Sequence, residues 1–268
     1  MLQAINEAVS FIREKIKDTP GTAIILGSGL GGIVDQVRDA HVISYHSIPH
    51  FPVSTVEGHE GNLISGLLGG TRVLIMQGRF HFYEGYSMQE VTFPIRVMKF
   101  LGIKTLVVSN AAGGMNPEFE IGDIMVIKDH INAMPNPLIG PHEPAFGERF
   151  PDMSETYSSG LISQFKGHAK ELGIRIREGC YVGVTGPTLE TPKEYAYFRI
   201  MGGDAVGMST VPEVIVAHQM GIRIFAVSVI TDLGVPGKIR KLTHQEVIQA
   251  AGLAAPKLTK LIVKLING

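Results

Sequence analysis

Residues 22–32 of the 268-residue chain read TAIILGSGLGG, an apolar run that passes directly into a glycine-rich loop. The run TAIIL (22–26) is continuous rather than alternating, which is typical of a strand buried on both faces of a sheet. Gly27, Gly29 and Gly32 then satisfy the spacing G-x-G-x-x-G, and a short helical pattern, IVDQVRD, follows. A glycine turn between a strand and a helix presents backbone N–H groups to an anion, so this stretch predicts an α/β fold with an anion site at the strand end.

Six further apolar runs recur along the chain, with helical patterns between several of them. This alternation predicts an α/β fold with a mixed, largely parallel central sheet that helices cover on both faces. No composition shift or internal repeat divides residues 1–268, so we expect a single domain. The runs are RVLIM (72–76), TLVVS (105–109), IMVI (124–127), YVGVT (181–185), DAVGM (204–208) and RIFAVSVI (223–230), and the helical patterns cover 87–101, 155–172, 191–201, 211–220 and 243–266.

Helix start signals agree with these boundaries. Ser87, Thr191 and Thr243 each precede a helical pattern, as an N-cap residue does, and Pro212 stands in the first turn of another. The longest irregular stretch, 130–155, is rich in Pro, Gly and Asn. A loop of this length is usually functional or part of an interface.

The composition excludes several classes of protein. Hydrophobic residues make up 44% and charged residues 18%, which excludes a disordered chain, and a net charge of -1 gives no basic surface for nucleic acid. Cys180 is the only cysteine, so neither a disulfide framework nor a cysteine metal site is expected. The amphipathic stretch 1–18 lacks the features of a signal peptide, and no apolar run approaches the ~18 residues of a membrane span. We therefore expect a cytoplasmic protein that binds neither nucleic acid nor membrane.

The glycine loop by itself allows several interpretations. A dinucleotide-binding loop needs an acidic residue roughly 20 positions further on, and the stretch YHSIPHF (45–51) has none. A P-loop needs Gly-Lys-Ser/Thr, which is absent. A simple anion site, to which Ser28 would add a hydroxyl donor, stays open beside a tight turn that binds nothing.

Four other polar segments favour the anion site. They are expected at the carboxyl ends of strands, the edge at which open α/β sheets bind ligands. Arg79 offers a bidentate fork to phosphate, and histidines, hydroxyls and a glycine-flanked N–H can add donors. Any one of these residues is more often structural than functional, and only their joint occurrence predicts a phosphate site. The segments are VEGHEG (56–61), GRFHFYEG (78–85), SNAAGG (109–114) and GMSTVPE (207–213), and the donors are Ser28, His59, Arg79, His81, Ala111 and Ser209.

With these segments in place, the chain resembles the trimeric purine nucleoside phosphorylases, a family shared with methylthioadenosine phosphorylases. The matching stretches run in the family's order from about residue 20 to 250. They are GSGLGG, FPVSTVEGHEGN, QGRFHFYEGYSM, SNAAGGMNP, NPLIGPHEPAFGERFPDMS, TGPTLETP, DAVGMSTVPEVIVA and HQEV. The resemblance implies the nucleoside phosphorylase fold, a homotrimer and phosphorolysis of purine (deoxy)ribonucleosides to the purine base and (deoxy)ribose 1-phosphate, with phosphate as a substrate and with no metal or cofactor.

The same resemblance assigns roles to residues of this chain. The catalytic residues would be His81, Asn110, Glu190 and Asp232. Phosphate would be bound by Ser28, His59, Arg79, His81, Ala111 and Ser209. The ribose would be held by Tyr83, Met208 and His244, with Phe146 from a neighbouring subunit. The purine would contact Glu190 and Asp232 between walls formed by Tyr181, Leu189, Val206 and Gly207.

Two residues depart from the family pattern. Asp232 stands where enzymes selective for 6-oxopurines commonly have Asn. An ionised Asp only accepts hydrogen bonds and suits the amino group of adenine, whereas a protonated Asp can donate to N7. Leu189 replaces the usual aromatic residue. His244 is typical of enzymes that hold an unmodified ribose, whereas methylthioadenosine phosphorylases usually have a smaller apolar residue there. Methylthioadenosine phosphorylase is therefore the alternative and not the leading interpretation.

Two functions outside the family also stay open. A dinucleotide-dependent oxidoreductase is supported only by the G-x-G-x-x-G spacing. A nucleoside-binding protein without catalysis is disfavoured because Arg79, His81, Asn110 and Glu190 are all present, and a binder would not need phosphate ligands.

Overall fold

A computed structural model describes residues 1–16, 18–56 and 58–268. Lys17, in the predicted amphipathic stretch at the N-terminus, and Glu57, in the segment VEGHEG, lie outside the described residues. The strands are β1 (Thr22–Leu26), β2 (Arg38–Ser44), β3 (Asn62–Leu68), β4 (Thr71–Gln77), β5 (Thr105–Gly114), β6 (Ile124–Asn132), β7 (Ile176–Gly183), β8 (Ala205–Gly207) and β9 (Arg223–Leu233). The helices are α1 (Leu2–Lys15), α2 (Met88–Val91), α3 (Phe93–Leu101), α4 (Ser159–Glu171), α5 (Pro192–Ile200), α6 (Val211–Gln219) and α7 (His244–Asn267).

The described strands form one sheet. Its order is β2-β3-β4-β1-β5-β8-β7-β6-β9, and β9 also pairs with β5, which closes the last five strands into a ring. The pairs β1–β4, β1–β5, β5–β9, β6–β7 and β7–β8 are parallel, whereas β2–β3, β3–β4, β5–β8 and β6–β9 are antiparallel. The predicted mixed sheet is confirmed, with parallel pairs only narrowly in the majority. That one sheet holds these strands supports the prediction of a single domain.

The continuous apolar runs are buried on both faces, as predicted. In β1, Ala23 and Ile25 belong to one core cluster, which contains side chains of α1, α3 and α6. The alternate residues, Ile24 and Leu26, belong to another cluster, together with side chains of α4 and α7. Because successive side chains of a strand point to opposite faces, one apolar run serves both layers of helices.

The hairpin of β2 and β3 has no counterpart among the predicted strands. β2 lies at the sheet edge and most of its side chains are exposed, so it lacks the apolar signature of a buried strand. In β3 the apolar pattern is interrupted by Ser65 and Gly66. A Cβ on Gly66 would stand 2.4 Å from Cγ1 of Val37, so the glycine allows the chain that enters β2 to pass close to β3.

The helix starts agree with the sequence, apart from the one after the glycine loop. Ser87, Thr191 and Thr243 each form a capping box with the Glu three residues further on. The predicted helix IVDQVRD is instead a 3-10 helix, Gly31–Gln36, that ends where β2 begins. Similarly, β6 extends to Asn132, into the stretch predicted to be irregular. No helix within the described residues is long and apolar enough to span a membrane.

The contact between α4 and β9 provides a test of the core. Phe165 is fully buried, and its ring centroid lies 4.6 Å from that of Phe225. Phe165→Ala is expected to lower the free energy of unfolding by about 3–5 kcal/mol, because it leaves a cavity between helix and sheet. Urea denaturation followed by circular dichroism measures this change. Phe150→Ala is the matched control, since Phe150 is 85% exposed. Equal stability of the two variants would contradict the packing described here.

Candidate active site

The polar segments meet at one edge of the sheet. β1, β4 and β5 are parallel, and β1 ends beside the middle of β5, so the loop that follows β1 lies beside Ser109 and Asn110. The strand predicted at 105–109 is longer in the structure, because β5 runs on to Gly114 and includes the segment SNAAGG. The prediction that VEGHEG follows a strand is wrong, because this segment precedes β3. β3 is antiparallel to β4 and its first residue, Asn62, pairs with Gln77 at the end of β4. The antiparallel hairpin therefore brings His59 to the same edge.

Every candidate site residue except Phe146 and Tyr181 lines one pocket at this edge. Their roles in binding and catalysis stay predictions, but the fold brings them together from eight separate segments of the chain. The lining residues named from the sequence are Ser28, His59, Arg79, His81, Tyr83, Asn110, Ala111, Leu189, Glu190, Val206, Gly207, Met208, Ser209, Asp232 and His244, and Ala112, Gly113, Thr231 and Val247 join them.

Close packing requires the glycines of the loop after β1. A Cβ on Gly27 would stand 2.7 Å from Cα of Asn110, and one on Gly29 would stand 2.6 Å from the carbonyl oxygen of Ile248 in α7. Gly29 also has a φ of +73°, a conformation that favours glycine. The loop is thus pressed between β5 and α7. Because a 3-10 helix follows it, the donors it offers are the Ser28 hydroxyl and loop N–H groups rather than the N-terminus of an α-helix.

Arg79 is the buried cation of the pocket. Its side chain is 1% exposed, and its Nε donates to Oε1 of Glu213 at 3.0 Å. Its Nη1 donates to the carbonyl oxygen of Ser109 at 2.8 Å and lies 3.4 Å from Oγ of Ser209. Nη2 is buried and has no hydrogen-bond partner among the described residues. A buried donor left unpaired costs about 1–3 kcal/mol, so this nitrogen is suited to an acceptor that a ligand brings.

His59 presents a neutral ring to the same part of the pocket. Burial lowers the pKa of His59 to about 3. Its Nε2 lies 3.2 Å from Oγ of Ser28, and its Nδ1 accepts from the backbone N–H of Arg79 at 3.2 Å. The carbonyl oxygen of Arg79 is 3.1 Å from the same Nδ1, so either tautomer finds a partner. When Nδ1 accepts from Arg79, Nε2–H becomes a donor beside Ser28.

His81 presents a hydrogen-bond acceptor to the pocket. Its Nδ1 lies 3.0 Å from Oε1 of Glu84. Burial alone would raise the pKa of Glu84, but hydrogen bonds from His81 and Thr55 lower it to about 2, so this carboxylate only accepts. Burial lowers the pKa of His81. The neutral ring therefore keeps its proton on Nδ1, and Nε2 is left as an acceptor. The sequence suggests two histidine donors; in this geometry His81 offers an acceptor, and His59 offers a donor in the tautomer whose Nδ1 accepts from Arg79.

Asn110 contributes a second acceptor. Its Nδ2 donates to Oγ1 of Thr210 at 2.9 Å, which fixes the orientation of the amide. Its Oδ1 is buried and unpaired among the described residues. Thr210 has a φ of 71°, which is strained for a β-branched residue and places Ser209 beside the end of β5. The amide oxygen can therefore accept from an N–H or O–H group of a ligand.

Two carboxyl groups form another part of the pocket, with a tyrosine between them. The hydroxyl of Tyr195 donates to Oδ2 of Asp232 at 3.2 Å, and Oγ1 of Thr231 lies 3.0 Å from Oδ1. Burial raises the pKa of Asp232 and that of Glu190. A carboxyl group with a raised pKa can hold a proton for a leaving group, as a general acid must. Leu189, next to Glu190, is 47% exposed.

Two candidates lie outside the pocket. Phe146 is buried in its own subunit, where the guanidinium of Arg96 lies 4.3 Å from its ring centroid. Tyr181 lies behind the pocket wall, and its hydroxyl accepts from the backbone N–H of Ser209 at 3.4 Å. From this position Tyr181 supports the pocket wall and does not contact a ligand directly. A contact of Phe146 with the site of a neighbouring subunit stays a prediction.

Sequence reasoning did not identify two important neighbours. Glu213, the partner of Arg79, lies in the quoted segment GMSTVPE, where an acidic residue in a buried helix start is an available signal. Tyr195 is the buried residue of α5, and no local pattern distinguishes it from the exposed tyrosine at 197. In the part of the chain that the structure describes, no group of three or more His, Cys, Asp or Glu side chains could hold a metal ion.

Comparisons with known proteins agree with this geometry. The sequence model of the family described as the phosphorylase superfamily matches residues 22–267. Purine nucleoside phosphorylase 1 of Geobacillus stearothermophilus is 55% identical over 247 residues, 92% of this chain and 90% of that protein. The purine nucleoside phosphorylase of Rattus norvegicus is 48% identical and covers 96% of this chain and 92% of its own length. The crystal structure of Schistosoma mansoni purine nucleoside phosphorylase in complex with adenosine superposes with a TM-score of 0.94 at 42% identity, covering 99% of this chain and 96% of that one.

The buried neutral histidine predicts a loss of stability in acid. The pKa of His59 is about 3 in the folded protein and 6.5 as its ordinary value, so its contribution is complete above pH 6.5 and is lost as the pH falls. Between pH 6.5 and 5 we expect a loss of about 2 kcal/mol in the free energy of unfolding, at ~1.4 kcal/mol per pH unit. Urea denaturation at several pH values measures it. His59→Asn should lose less over this range. The exposed His46→Asn should behave as the wild type, and the same slope in His59→Asn would refute the prediction.

Proposed function

This chain belongs to the phosphorylase superfamily, and we propose that it is a purine nucleoside phosphorylase. It cleaves the N-glycosidic bond of a purine (deoxy)ribonucleoside with inorganic phosphate and releases the purine base and (deoxy)ribose 1-phosphate. Relatives with that activity in their names are 40–55% identical to this chain over most of its length, which supports the proposal. Solved relatives hold hypoxanthine, adenosine, or cytosine with ribose 1-phosphate.

One observation carries the proposal, namely the unpaired nitrogen of Arg79. A guanidinium that is 1% exposed and already bound to Glu213 has no structural need for a further partner, yet its Nη2 stays buried without one among the described residues. Phosphate supplies the missing acceptor. Ser28, Ser209 and His59 line the same pocket and add neutral donors. Ala111, beside them, would offer its backbone N–H.

The polarity of His81 suits a partly protonated phosphate. Its Nε2 accepts, because Glu84 holds the proton on Nδ1, so it can bind an O–H group of the monohydrogen ion. In this role His81 orients the nucleophile with one oxygen lone pair towards the sugar. Arg79 and the hydroxyl donors hold the remaining oxygens.

The ribose is assigned to Tyr83, Met208 and His244. All three line the pocket, and the ring of Tyr83 stacks on His81 with centroids 4.6 Å apart. This stacking supports a sugar contact beside the proposed phosphate site. The assignment of Phe146 to the site of a neighbouring subunit, and with it the homotrimer, rests on family resemblance.

The base is assigned to Glu190, Asp232 and Asn110. The glycosidic bond breaks through a state in which the sugar resembles a cation, as in glycoside hydrolysis, while negative charge collects on the purine. The leaving base takes up a proton at N7, and a protonated Glu190, whose pKa burial raises, is the acid assigned to supply it. The buried acceptor Oδ1 of Asn110 can then accept a hydrogen bond from N7–H. Holding both reactants in one pocket replaces their encounter in solution, and fixed dipoles act on the charges as they form.

Every step in this scheme is assigned to a side chain or to the phosphate substrate, so the scheme itself calls for no metal or organic cofactor. A cytoplasmic location, with small molecules rather than nucleic acid or membrane as partners, completes the proposal and follows from the composition and the family.

One assay separates the candidate functions. The purified protein is incubated with inosine, guanosine, adenosine or methylthioadenosine, with and without phosphate, and release of the base is followed. We expect release that requires phosphate. Release without phosphate would indicate a hydrolase, no release from any nucleoside would indicate a binding protein, and a preference for methylthioadenosine would indicate the alternative phosphorylase.

The fork of Arg79 provides a second test. Lysine keeps the charge but cannot bind Glu213, the Ser109 carbonyl and a ligand at once. Since a hydrogen bond to a charged group contributes about 1.5–3 kcal/mol, Arg79→Lys should raise KM for phosphate roughly tenfold or more. Steady-state kinetics with varied phosphate measures this. Arg38→Lys, at an exposed position in β2, is the control. An unchanged KM for phosphate in Arg79→Lys would remove the observation that carries the proposal.

A further inference from the structure

We propose that Tyr195 is a specificity-determining residue, which holds Asp232 as an ionised hydrogen-bond acceptor and so favours 6-aminopurine over 6-oxopurine bases. The inference rests on the proposed function, because it takes Asp232 as a contact of the base. Tyr195 acts through Asp232 and is therefore a positioning residue.

The fold places the Tyr195 hydroxyl at Asp232 with little freedom. The ring is 5% exposed and packs in a small apolar cluster with Met115, Val182 and Val206. A Cβ on Gly234 would stand 2.1 Å from Cδ1 of Tyr195, so the ring occupies space that only glycine leaves open. The hydroxyl at the end of this ring donates to Oδ2 of Asp232 at 3.2 Å.

A second glycine keeps the pair open to the pocket. A Cβ on Gly113 would stand 3.0 Å from Oδ2 of Asp232 and 3.4 Å from the Tyr195 hydroxyl. Gly113 lines the pocket together with Asp232. A larger residue at 113 would press on the hydrogen bond between tyrosine and carboxylate. Gly234 thus makes room for the Tyr195 ring, and Gly113 leaves the hydrogen bond between Tyr195 and Asp232 beside the pocket.

Tyr195 and Thr231 both donate to Asp232 and differ in their other acceptor. The hydroxyl of Thr231 lies 3.0 Å from Oδ1 of Asp232, but it also lies 3.3 Å from the carbonyl oxygen of Ala112 and has only one hydrogen to share. The Tyr195 hydroxyl also has one hydrogen, and its acceptors among the described residues are the carboxylates of Asp232 and Glu190. Donors directed at a carboxylate stabilise its ionised form, so Tyr195 favours a charged acid at the base site.

The surrounding charges decide which acid keeps a proton. Burial raises the pKa of Asp232, whereas Thr231, Tyr195 and the positive charge of Arg240 oppose this rise. Burial also raises the pKa of Glu190, Tyr195 opposes it, and the negative charges of Asp232 and Glu194 raise it further. Asp232 therefore has a basic neighbour and Glu190 has acidic ones. These neighbours favour the ionised form of Asp232 over that of Glu190, so we expect Asp232 to be the acid that carries the charge.

An ionised Asp232 discriminates between bases by polarity. A carboxylate only accepts, so it attracts the 6-amino group of adenine and repels the 6-keto oxygen of hypoxanthine or guanine. A protonated Asp232 could donate to that keto oxygen. The Tyr195 hydroxyl, which favours the charged form, is therefore expected to shift the preference towards 6-aminopurine.

The test removes only the hydroxyl. Tyr195→Phe keeps the ring beside Gly234 and should lower the ratio of kcat/KM for adenosine to that for inosine about tenfold, which corresponds to ~1.4 kcal/mol. Cleavage of adenosine needs ionised Asp232 and is lost as the pH falls through its pKa. Without the donor that pKa rises, so the acidic limb of kcat/KM for adenosine should move to higher pH. Tyr197→Phe is the matched control, because it is the same change on the same helix at a side chain that is 57% exposed.

The same substitution made in an Asp232→Asn variant distinguishes this role from a purely structural one. Asn cannot titrate, so in Asp232→Asn the further change Tyr195→Phe should alter neither the substrate ratio nor the pH profile. If Tyr195→Phe lowers activity on adenosine and inosine equally and leaves the profile unmoved, the inference is overturned. The same holds if it acts equally in both backgrounds.

Failure of the proposed function would be a different result. If the wild type releases no base in the presence of phosphate, the proposed function fails, and the inference is then tested by calorimetric binding of adenine and hypoxanthine. Tyr195→Phe should lower the ratio of the two affinities in favour of hypoxanthine. An affinity ratio equal to that of Tyr197→Phe would overturn the inference.

Discussion

The buried ion pair between Arg79 and Glu213 is the interaction on which the pocket depends. It joins the loop after β4 to the start of α6, and a further hydrogen bond ties the guanidinium to the Ser109 carbonyl in β5. Charges that are 1% and 5% exposed are costly to bury unless they are paired and hydrogen-bonded. The pair therefore fixes three elements relative to one another. It also leaves one guanidinium nitrogen without a partner among the described residues, and the proposed phosphate site is built around that nitrogen.

Burial acts on the other titratable groups of the pocket in one direction, towards the neutral form. It lowers the pKa of His59 and His81 and raises that of Glu190 and Asp232. The pocket thus offers mostly neutral donors and acceptors beside one compensated cation, and Asp232, which accepts from Tyr195 and Thr231, is the acid inferred to carry a charge. In such a site, recognition depends on the direction of each hydrogen bond, because fixed dipoles count for more where water is excluded. The polarity of His81 follows from its Nδ1 partner, the carboxylate of Glu84, whereas Nδ1 of His59 lies beside both the N–H and the carbonyl oxygen of Arg79.

Glycines shape the pocket because the absence of a side chain allows other groups to pack closely against them. Gly27 and Gly29 bring the loop after β1 against β5 and α7, and Gly113 and Gly234 make room for the contact of Tyr195 with Asp232. The G-x-G-x-x-G spacing resembles a dinucleotide loop, but two of its glycines serve close packing in this fold. The same spacing can therefore arise from packing requirements alone, which explains why it is a weak guide to the ligand when taken by itself.

The sequence alone determined the α/β class, the two-sided burial of the central strands, the capped helices and the polar segments of the proposed phosphate site, whereas the residues for the sugar and the base came from the family resemblance. Those features are local: an apolar run, a capping box, or a polar segment next to a strand can be recognised within a few residues. Only the tertiary structure decided the edge hairpin of β2 and β3, the closure of the sheet into a ring, the positions of Phe146 and Tyr181 outside the pocket, and the partnership of Tyr195 with Asp232. Each of these depends on contacts between residues far apart in the chain, and burial and pairing at such distances leave no periodic trace in the sequence.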